Sequence, residues 1–241
     1  TQNYTDTAGS QMLPAWSAAI GSEAFFSTMT IDQSAKWVAA ERIGVWQAGY
    51  QSFLDADVWM FAGINPVVSL WGGNAFPPFN PVKRMKEARA RGMTVIVIDP
   101  RLSETARFAD IFLQPRPGED VTVAAGLLNT ILGEGWHDAE FCRDHVADVV
   151  ALAEAVSAFT PSYVEARAGV PADLLRQAAK AFAHTGKRGV CTTGTGPDMA
   201  QRSNLAEHLY ECLNVVCGRF VGRGGTLKDP GVIARVVLFA G

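Results

Sequence analysis

Apolar and polar positions divide the chain into strand-sized apolar runs that alternate with helix-period stretches. Val58-Trp59-Met60-Phe61-Ala62 is an unbroken apolar run stopped by Gly63, the mark of a strand buried on both faces of a parallel sheet. Thr94-Val95-Ile96-Val97-Ile98 is β-branched throughout and ends at Asp99, which predicts a second such strand. Between them, a loop rich in breakers (Gly72, Gly73, Pro77, Pro78) leads to a predicted helix over 81–91. That helix has Asn80 as N-cap, Pro81 in its first turn and Gly92 just past its end. Strand, helix and strand within about 40 residues form a βαβ unit, whose crossover is right-handed.

The alternation continues. A short strand is predicted at 111–113, then an apolar helix over 121–132 with Asp120 as N-cap and Gly133 as stop. Helices follow over 138–145, 149–159 and 171–184, the last with Leu174, Leu175, Ala178 and Phe182 on one face. A strand at 189–193 runs into Gly194-Thr195-Gly196, and a helix over 201–218 carries a stripe of Leu205, Leu209, Cys212, Leu213 and Val216. Ahead of the first strand, 11–20 and 34–42 predict short helices. The fold class is α/β: a Rossmann-like, mostly parallel sheet flanked by helices, with a partial second α/β region at the C-terminal end.

Composition narrows the function classes. Of the 241 residues, 48% are apolar and 19% charged, which suits a packed interior. Lys plus Arg is 21 against 24 Asp plus Glu, a formal charge of −3 that lacks the basic footprint of a nucleic-acid binder. The longest apolar run, 58–64, is far short of the roughly 18 residues of a membrane span. The four cysteines, Cys142, Cys191, Cys212 and Cys217, are too few for a disulfide scaffold and include no C-x-x-C pair. Cys191 and Cys212 read as core residues. The four histidines have no metal-site spacing. Residues 1–10 are polar, without the basic-then-apolar order of a secretory leader. A start without Met and an apolar stretch at 232–241 read as a piece of a longer chain, with apolar surface that missing segments would cover. Cytoplasm and periplasm both stay open as compartments.

Ligands of open α/β sheets bind beyond the carboxyl ends of the strands. Three predicted strands end in Gly63-Ile64-Asn65-Pro66, Asp99-Pro100-Arg101 and Gly194-Thr195-Gly196-Pro197. Glycine lets backbone amides approach a ligand, an Asp accepts from ribose hydroxyls, and an Arg two residues on can face a phosphate. Together these parts suit a nucleotide-containing ligand, although each glycine turn taken alone is an ordinary turn. A dinucleotide fingerprint fails: the 194–199 segment lacks its third small residue. Asp99 also lies 36 residues after Gly63, where the fingerprint needs about 20. Arg116-Pro117-Gly118-Glu119-Asp120 precedes a helix. As structure it is a turn and a cap; as a site, Asp120 can take the N1–H and N2–H₂ of guanine beside helix amides.

In order and spacing, Gly63-Ile64-Asn65-Pro66, Val97-Ile98-Asp99-Pro100-Arg101-Leu102-Ser103-Glu104-Thr105-Ala106, Ala109-Asp110 and Arg116–Asp120 resemble the molybdopterin oxidoreductase family. This is the dimethyl sulfoxide reductase and formate dehydrogenase superfamily, and the resemblance covers roughly residues 57–226. It implies a region that binds the guanine dinucleotide part of a bis-molybdopterin guanine dinucleotide (bis-MGD) cofactor with molybdenum or tungsten. Gly63, Asn65 and Pro66 would border the dinucleotide, and Asp99 and Arg101 would contact its ribose and phosphates, with Ser103 nearby. Gly118 and Asp120 would recognise guanine, while Gly194, Gly196 and Gln201 match a glycine-rich loop near the metal.

The implied domains are 1–185, a cofactor-binding domain whose residues 1–50 lead into the active-site region, and 186–241, the start of a second, truncated domain. The implied full enzyme performs two-electron redox or oxygen-atom transfer on a small molecule, with a redox partner protein or subunit. This piece alone is expected to be inactive. An iron–sulfur cluster, if present, belongs outside this segment. The register of the family's protein metal ligand falls near Val38, which has no donor atom; some members have no protein ligand. Asp32 and Ser34 are the oxygen donors close by, with capping of the following helix the favoured reading of both, and the resemblance would match Lys36 to a basic residue near the pterins. The competing readings are a non-redox α/β module that binds a nucleotide or partner without metal, and a nicotinamide-dependent dehydrogenase, which the failed fingerprint disfavours.

Overall fold

Strands β1 (Val58–Ala62), β2 (Thr94–Ile98), β3 (Ile111–Leu113) and β4 (Gly189–Thr193) form one parallel sheet in the order β3-β2-β1-β4. Val58 lies opposite Thr94 on one side and Gly189 on the other. All four strands have the bounds their apolar runs predict. The structure is a computed structural model and describes residues 7–24, 26, 32–44, 46, 49–70, 76, 77 and 79–222. Gly72, Gly73, Pro78, residues 29–31 of the expected metal-ligand segment and the 232–241 stretch lie outside the described residues.

The helices are α1 (Thr7–Ala19), α2 (Ser34–Ile43), α3 (Pro66–Ser69), α4 (Pro81–Ala90), α5 (Asp120–Gly133), α6 (Ala139–His145), α7 (Val149–Val156), α8 (Pro161–Ala168), α9 (Ala172–His184), α10 (Thr195–Asp198) and α11 (Ser203–Val216). α4 begins as predicted: the Asn80 side chain accepts from the Lys83 amide at 3.3 Å, and Pro81 fills the first position. α5 begins one residue earlier than expected, so Asp120 is its first residue and Glu119 its N-cap.

Period-two alternation splits the strand side chains between two cores. Val58, Met60, Ala62, Ile96, Ile98 and Cys191 face one side, against Leu127, Leu128, Leu175, Phe182, Leu209 and Leu213 of α5, α9 and α11. Trp59, Phe61, Val95, Val97 and Val190 face the other, against Phe53, Phe76, Met85 and Ala88. Each Val, Leu, Ile, Phe or Met among them, fully buried, stabilises the fold by about 1.5–3 kcal/mol. The result is three layers, with helices on both faces of the sheet. Among the described residues no helix is long and apolar enough to cross a membrane.

Several expectations change. α8 was not predicted, and the 149–159 helix ends at Val156. The Gly194-Thr195-Gly196 turn continues into the four-residue α10. Leu205 is 47% exposed, and α11 buries Ala206, Glu207 and Tyr210 beside Leu209, Leu213 and Val216. The region expected to begin a second domain at residue 186 supplies β4, hydrogen-bonded to β1. Its described part, 186–222, therefore completes this sheet. Apolar side chains are exposed at Met12, Trp16, Phe26 and Trp37.

Candidate functional site

Because the four strands run the same way, their carboxyl ends share one edge of the sheet. That edge gathers the 63–66, 99–101, 114–120 and 194–197 loops. The chain leaves β1 toward β2 and β3 on one side and returns as β4 on the other, so the switch point lies between β1 and β4. There the two glycine loops cross. Gly194 donates to the Ala62 carbonyl at 3.2 Å and Gly196 to the Gly63 carbonyl at 3.1 Å. Gly63 has φ +60°, and a β-carbon on it would collide with Pro197. A β-carbon on Gly196 would lie 2.9 Å from the Gly63 Cα. These glycines are required first by the approach of two chain segments to each other.

Asn65 knots the ends of β1 and β2 together. Its Oδ1 accepts from the Thr105 hydroxyl at 2.7 Å and amide at 3.2 Å, and its Nδ2 donates to Glu104 at 2.8 Å. Pro66 is buried at the first position of α3. The Ser103 hydroxyl is fully buried and accepts from the Ala106 amide at 3.3 Å, so it faces protein. The Asn65 hydrogen bond, the Glu104 backbone and Arg101 together hold the Glu104 carboxyl down at about 2. Asp99 accepts from the Arg101 amide at 2.8 Å through Oδ1. Arg101 donates to Glu104 at 3.2 Å, with its side chain 63% exposed.

In the 116–120 turn, Arg116 donates to the Ala166 and Arg167 carbonyls at 3.0 and 2.7 Å, capping the end of α8. Glu119 pairs with Arg167 at 2.9 Å and accepts from the Thr122 hydroxyl at 2.6 Å. Burial pushes the Glu119 carboxyl up, and these two partners outweigh it and hold it below its ordinary value. Gly118 has φ +87° and is exposed, with nothing near where a β-carbon would stand. The Asp120 carboxyl is half-buried in the first turn of α5. Burial raises it, its own backbone amide opposes that, and Glu119 adds to the rise. Asp99, Arg101, Gly118 and Asp120 are thus the candidates that present polar groups outward from this edge, and Gln201 is exposed in the turn before α11.

α2 closes the other end of the site. Lys36 Nζ lies 3.0 Å from Asp198 Oδ2, 3.4 Å from Glu207 Oε1 and 3.5 Å from the Gly194 carbonyl. The Thr193 hydroxyl donates to Glu207 Oε2 at 2.7 Å. The caps expected from Asp32 and Ser34 are not made: Gln33 is the N-cap, in a left-handed conformation and without a side-chain bond. Ser34 is the first helical residue, and Asp32 Oδ1 is buried without a partner. Asp198 and Glu207 escaped the sequence reading. A Glu beside a helix stripe reads as solvent-facing, and its partner Lys36 is 171 residues away.

A cavity of about 580 Å³ adjoins Lys36 and Thr193, between α2 and α11, walled by Trp46, Tyr50, Phe141 and Phe220. Tyr50 donates to Glu211 at 2.7 Å on its floor. The four cysteines are free and separately buried, and burial raises every one of their thiols.

Comparison with known proteins places this arrangement. No family model matches the chain. It is 31% identical over 162 residues to the F420-dependent formate dehydrogenase 1 subunit alpha of Methanococcus maripaludis, covering 66% of this chain and 23% of that one. It is 28% identical over 138 residues to the thiosulfate reductase molybdopterin-containing subunit PhsA of Salmonella typhimurium, covering 57% and 18%. The solved structure of acetylene hydratase from Pelobacter acetylenicus superposes with a TM-score of 0.72 at 27% identity, covering 87% of this chain and 28% of that one. The chain spans about a quarter of the length of the curated relatives it matches. The shared sheet, the motifs along its carboxyl edge and these relatives agree: the homologues of this chain are molybdopterin oxidoreductases.

Proposed function

We propose that this chain is a cofactor-binding region of a molybdenum- or tungsten-dependent oxidoreductase and holds the guanine dinucleotide part of a bis-MGD cofactor. The observation that carries the reading is the convergence of Asp99, Arg101, Gly118 and Asp120 on the carboxyl edge of one parallel sheet. Their chemistry fits that group. The Asp120 carboxylate stands at the start of a 14-residue helix, where it can accept the two N–H donors of a guanine edge. Asp99 keeps its second oxygen for a ribose hydroxyl. The exposed Arg101 guanidinium can turn from Glu104 to a phosphate. Lys36 is engaged by Asp198 and Glu207, so its part is to hold α2 against the turn after β4. When bound, the metal and its dithiolenes supply the two-electron chemistry; the chain places them.

The whole enzyme, on this reading, transforms a small molecule by two-electron redox or oxygen-atom transfer and works with a redox partner protein or subunit. The test is Asp120→Ala in the complete enzyme, read as pterin and metal content per polypeptide. A charge-assisted contact is worth about 1.5–3 kcal/mol, so retention should fall by about tenfold or more under competition. Unchanged content would refute the guanine assignment.

A further inference from the structure

Two buried carboxylates and a third, half-buried one gather around one ammonium where α2 meets α11. The side chains of Asp198 and Glu207 are 0% and 1% exposed. Glu211, one turn beyond Glu207, accepts from Tyr50 at 2.7 Å and from Asn214 at 3.3 Å. Among the described residues, Lys36 is the cation paired with Asp198 and Glu207. Asp198 reaches Lys36 through Oδ2, while its Oδ1 is buried and unpartnered. Lys36 is therefore what holds this carboxylate, and with it the short α10, in the protein. Ionising all three acids would leave two negative charges in the cluster without a counter-charge, which their removal from water disfavours.

Burial favours the protonated forms of two of these acids. Burial pushes the Glu207 carboxyl up to about 7; Lys36 and Thr193 pull it down by less, and Asp198 and Glu211 push it further up. Burial also raises Glu211, against the hydrogen bonds of Tyr50 and Asn214 and the charge of Lys36. The groups around Glu207 are thus Lys36 from α2, Thr193 from β4, Asp198 from α10 and Glu211 from its own helix, with Tyr50, Cys191 and Tyr210, all raised, staying neutral.

We propose that Glu207 is a proton-operated latch on the glycine turn after β4. With its proton, Lys36 and Asp198 form a neutral pair that seats α2 and α10 against the end of the strand. Without it, a second buried negative charge competes for Lys36 and repels Asp198, and the 194–198 turn loosens toward water. The latch does not depend on the cofactor reading. Its bearing on the cofactor reading is that the same turn is the one that reading places against the pterins.

The test is backbone hydrogen exchange over residues 194–201 in the full chain, at pH 6 and pH 8, corrected for the intrinsic pH dependence of exchange. The wild type should lose about tenfold in protection at the higher pH, the equivalent of one pKa unit of coupling. Glu207→Gln should abolish that loss and Glu211→Gln should keep it. Equal protection at both pH values in the wild type, or an unchanged loss in Glu207→Gln, overturns the latch. Should Glu207→Gln fail to fold, carbon-13 titration of the wild-type Glu207 carboxyl decides: a midpoint at or above about 6 supports it, and one below overturns it. Pterin content of the complete enzyme is a separate readout, so a failed guanine assignment leaves the exchange result standing.

Discussion

Gly196 donates its amide to the Gly63 carbonyl at 3.1 Å, and neither residue has room for a β-carbon. This contact joins the two strand ends that flank the switch point. Gly196→Ala places a methyl 2.9 Å from the Gly63 Cα, against backbone that cannot rotate away. Overpacking of this kind typically destabilises by about 1–3 kcal/mol. The expected outcome is a lower midpoint in urea at unchanged slope.

Asn214 pairs with β4 as another strand would. It accepts from the Cys191 amide at 2.7 Å and donates to the Cys191 carbonyl at 3.0 Å. Asn214→Ala strands both groups in the interior, at about 1–3 kcal/mol each. Chemical denaturation should show the loss, and Asn214→Gln should recover little of it because the amide then stands one methylene out of place.

Arg219 is a buried arginine that caps α9: it donates to the Phe182 carbonyl, and to the Gly186 carbonyl at 3.1 Å. Its guanidinium also stacks over the Phe182 ring at 5.2 Å. Burial lowers its pKa, against the fields of Cys217 and Asp57. Arg219→Met keeps the volume and removes every donor, leaving those carbonyls unsatisfied. A destabilisation of about 2–4 kcal/mol is expected, with earlier exchange of the α9 C-terminal amides.

Asp57 ties the start of β1 to the start of β4 through Arg188, at 2.9 and 3.3 Å, and accepts from the Arg188 amide at 3.1 Å. The Arg188 side chain lowers the Asp57 carboxyl most; burial opposes it, and the Arg188 amide and charge help. A folded value below the unfolded 3.8 means this stability is present above about pH 4 and is lost as pH falls through the folded value. Both side chains are part-exposed, so solvent screening limits the effect to about 0.2–1 kcal/mol. Asp57→Asn should lower stability by that amount at neutral pH and flatten its decline on acidification.

The strands were legible because they are runs of apolar or β-branched residues, and β1, β2 and β4 are ended by Gly63, Asp99 and Gly194, a pattern that local sequence alone carries. α8 carried its signals too: Thr160 as cap, Pro161 in the first turn and Gly169 in the left-handed position after it. Its charged and polar residues, Ser162, Glu165 and Arg167, leave only Val164 and Ala168 buried, so no apolar stripe marks it. The loop motifs were legible as a set, and their roles within the set were not. Asn65 and Ser103 are expected near the ligand from sequence, and the structure adds their protein partners: Glu104 and Thr105 about 40 residues on for Asn65, and the Ala106 amide for Ser103. Nor could helix periodicity place Glu207 inside, because what makes its burial tolerable is Lys36 on a helix far up the chain.

The two borders of the sheet also bear on how the chain behaves in company. A border strand offers a template on which other chains can polymerise. β3, at one border, is only three residues long, too short to nucleate such growth. β4, at the other border among the described residues, has its central peptide group already occupied by the Asn214 amide. Brevity on one flank and a side-chain plug on the other should keep neighbouring molecules from adding strands, even at concentrations where exposed Trp16 and Trp37 bring them together.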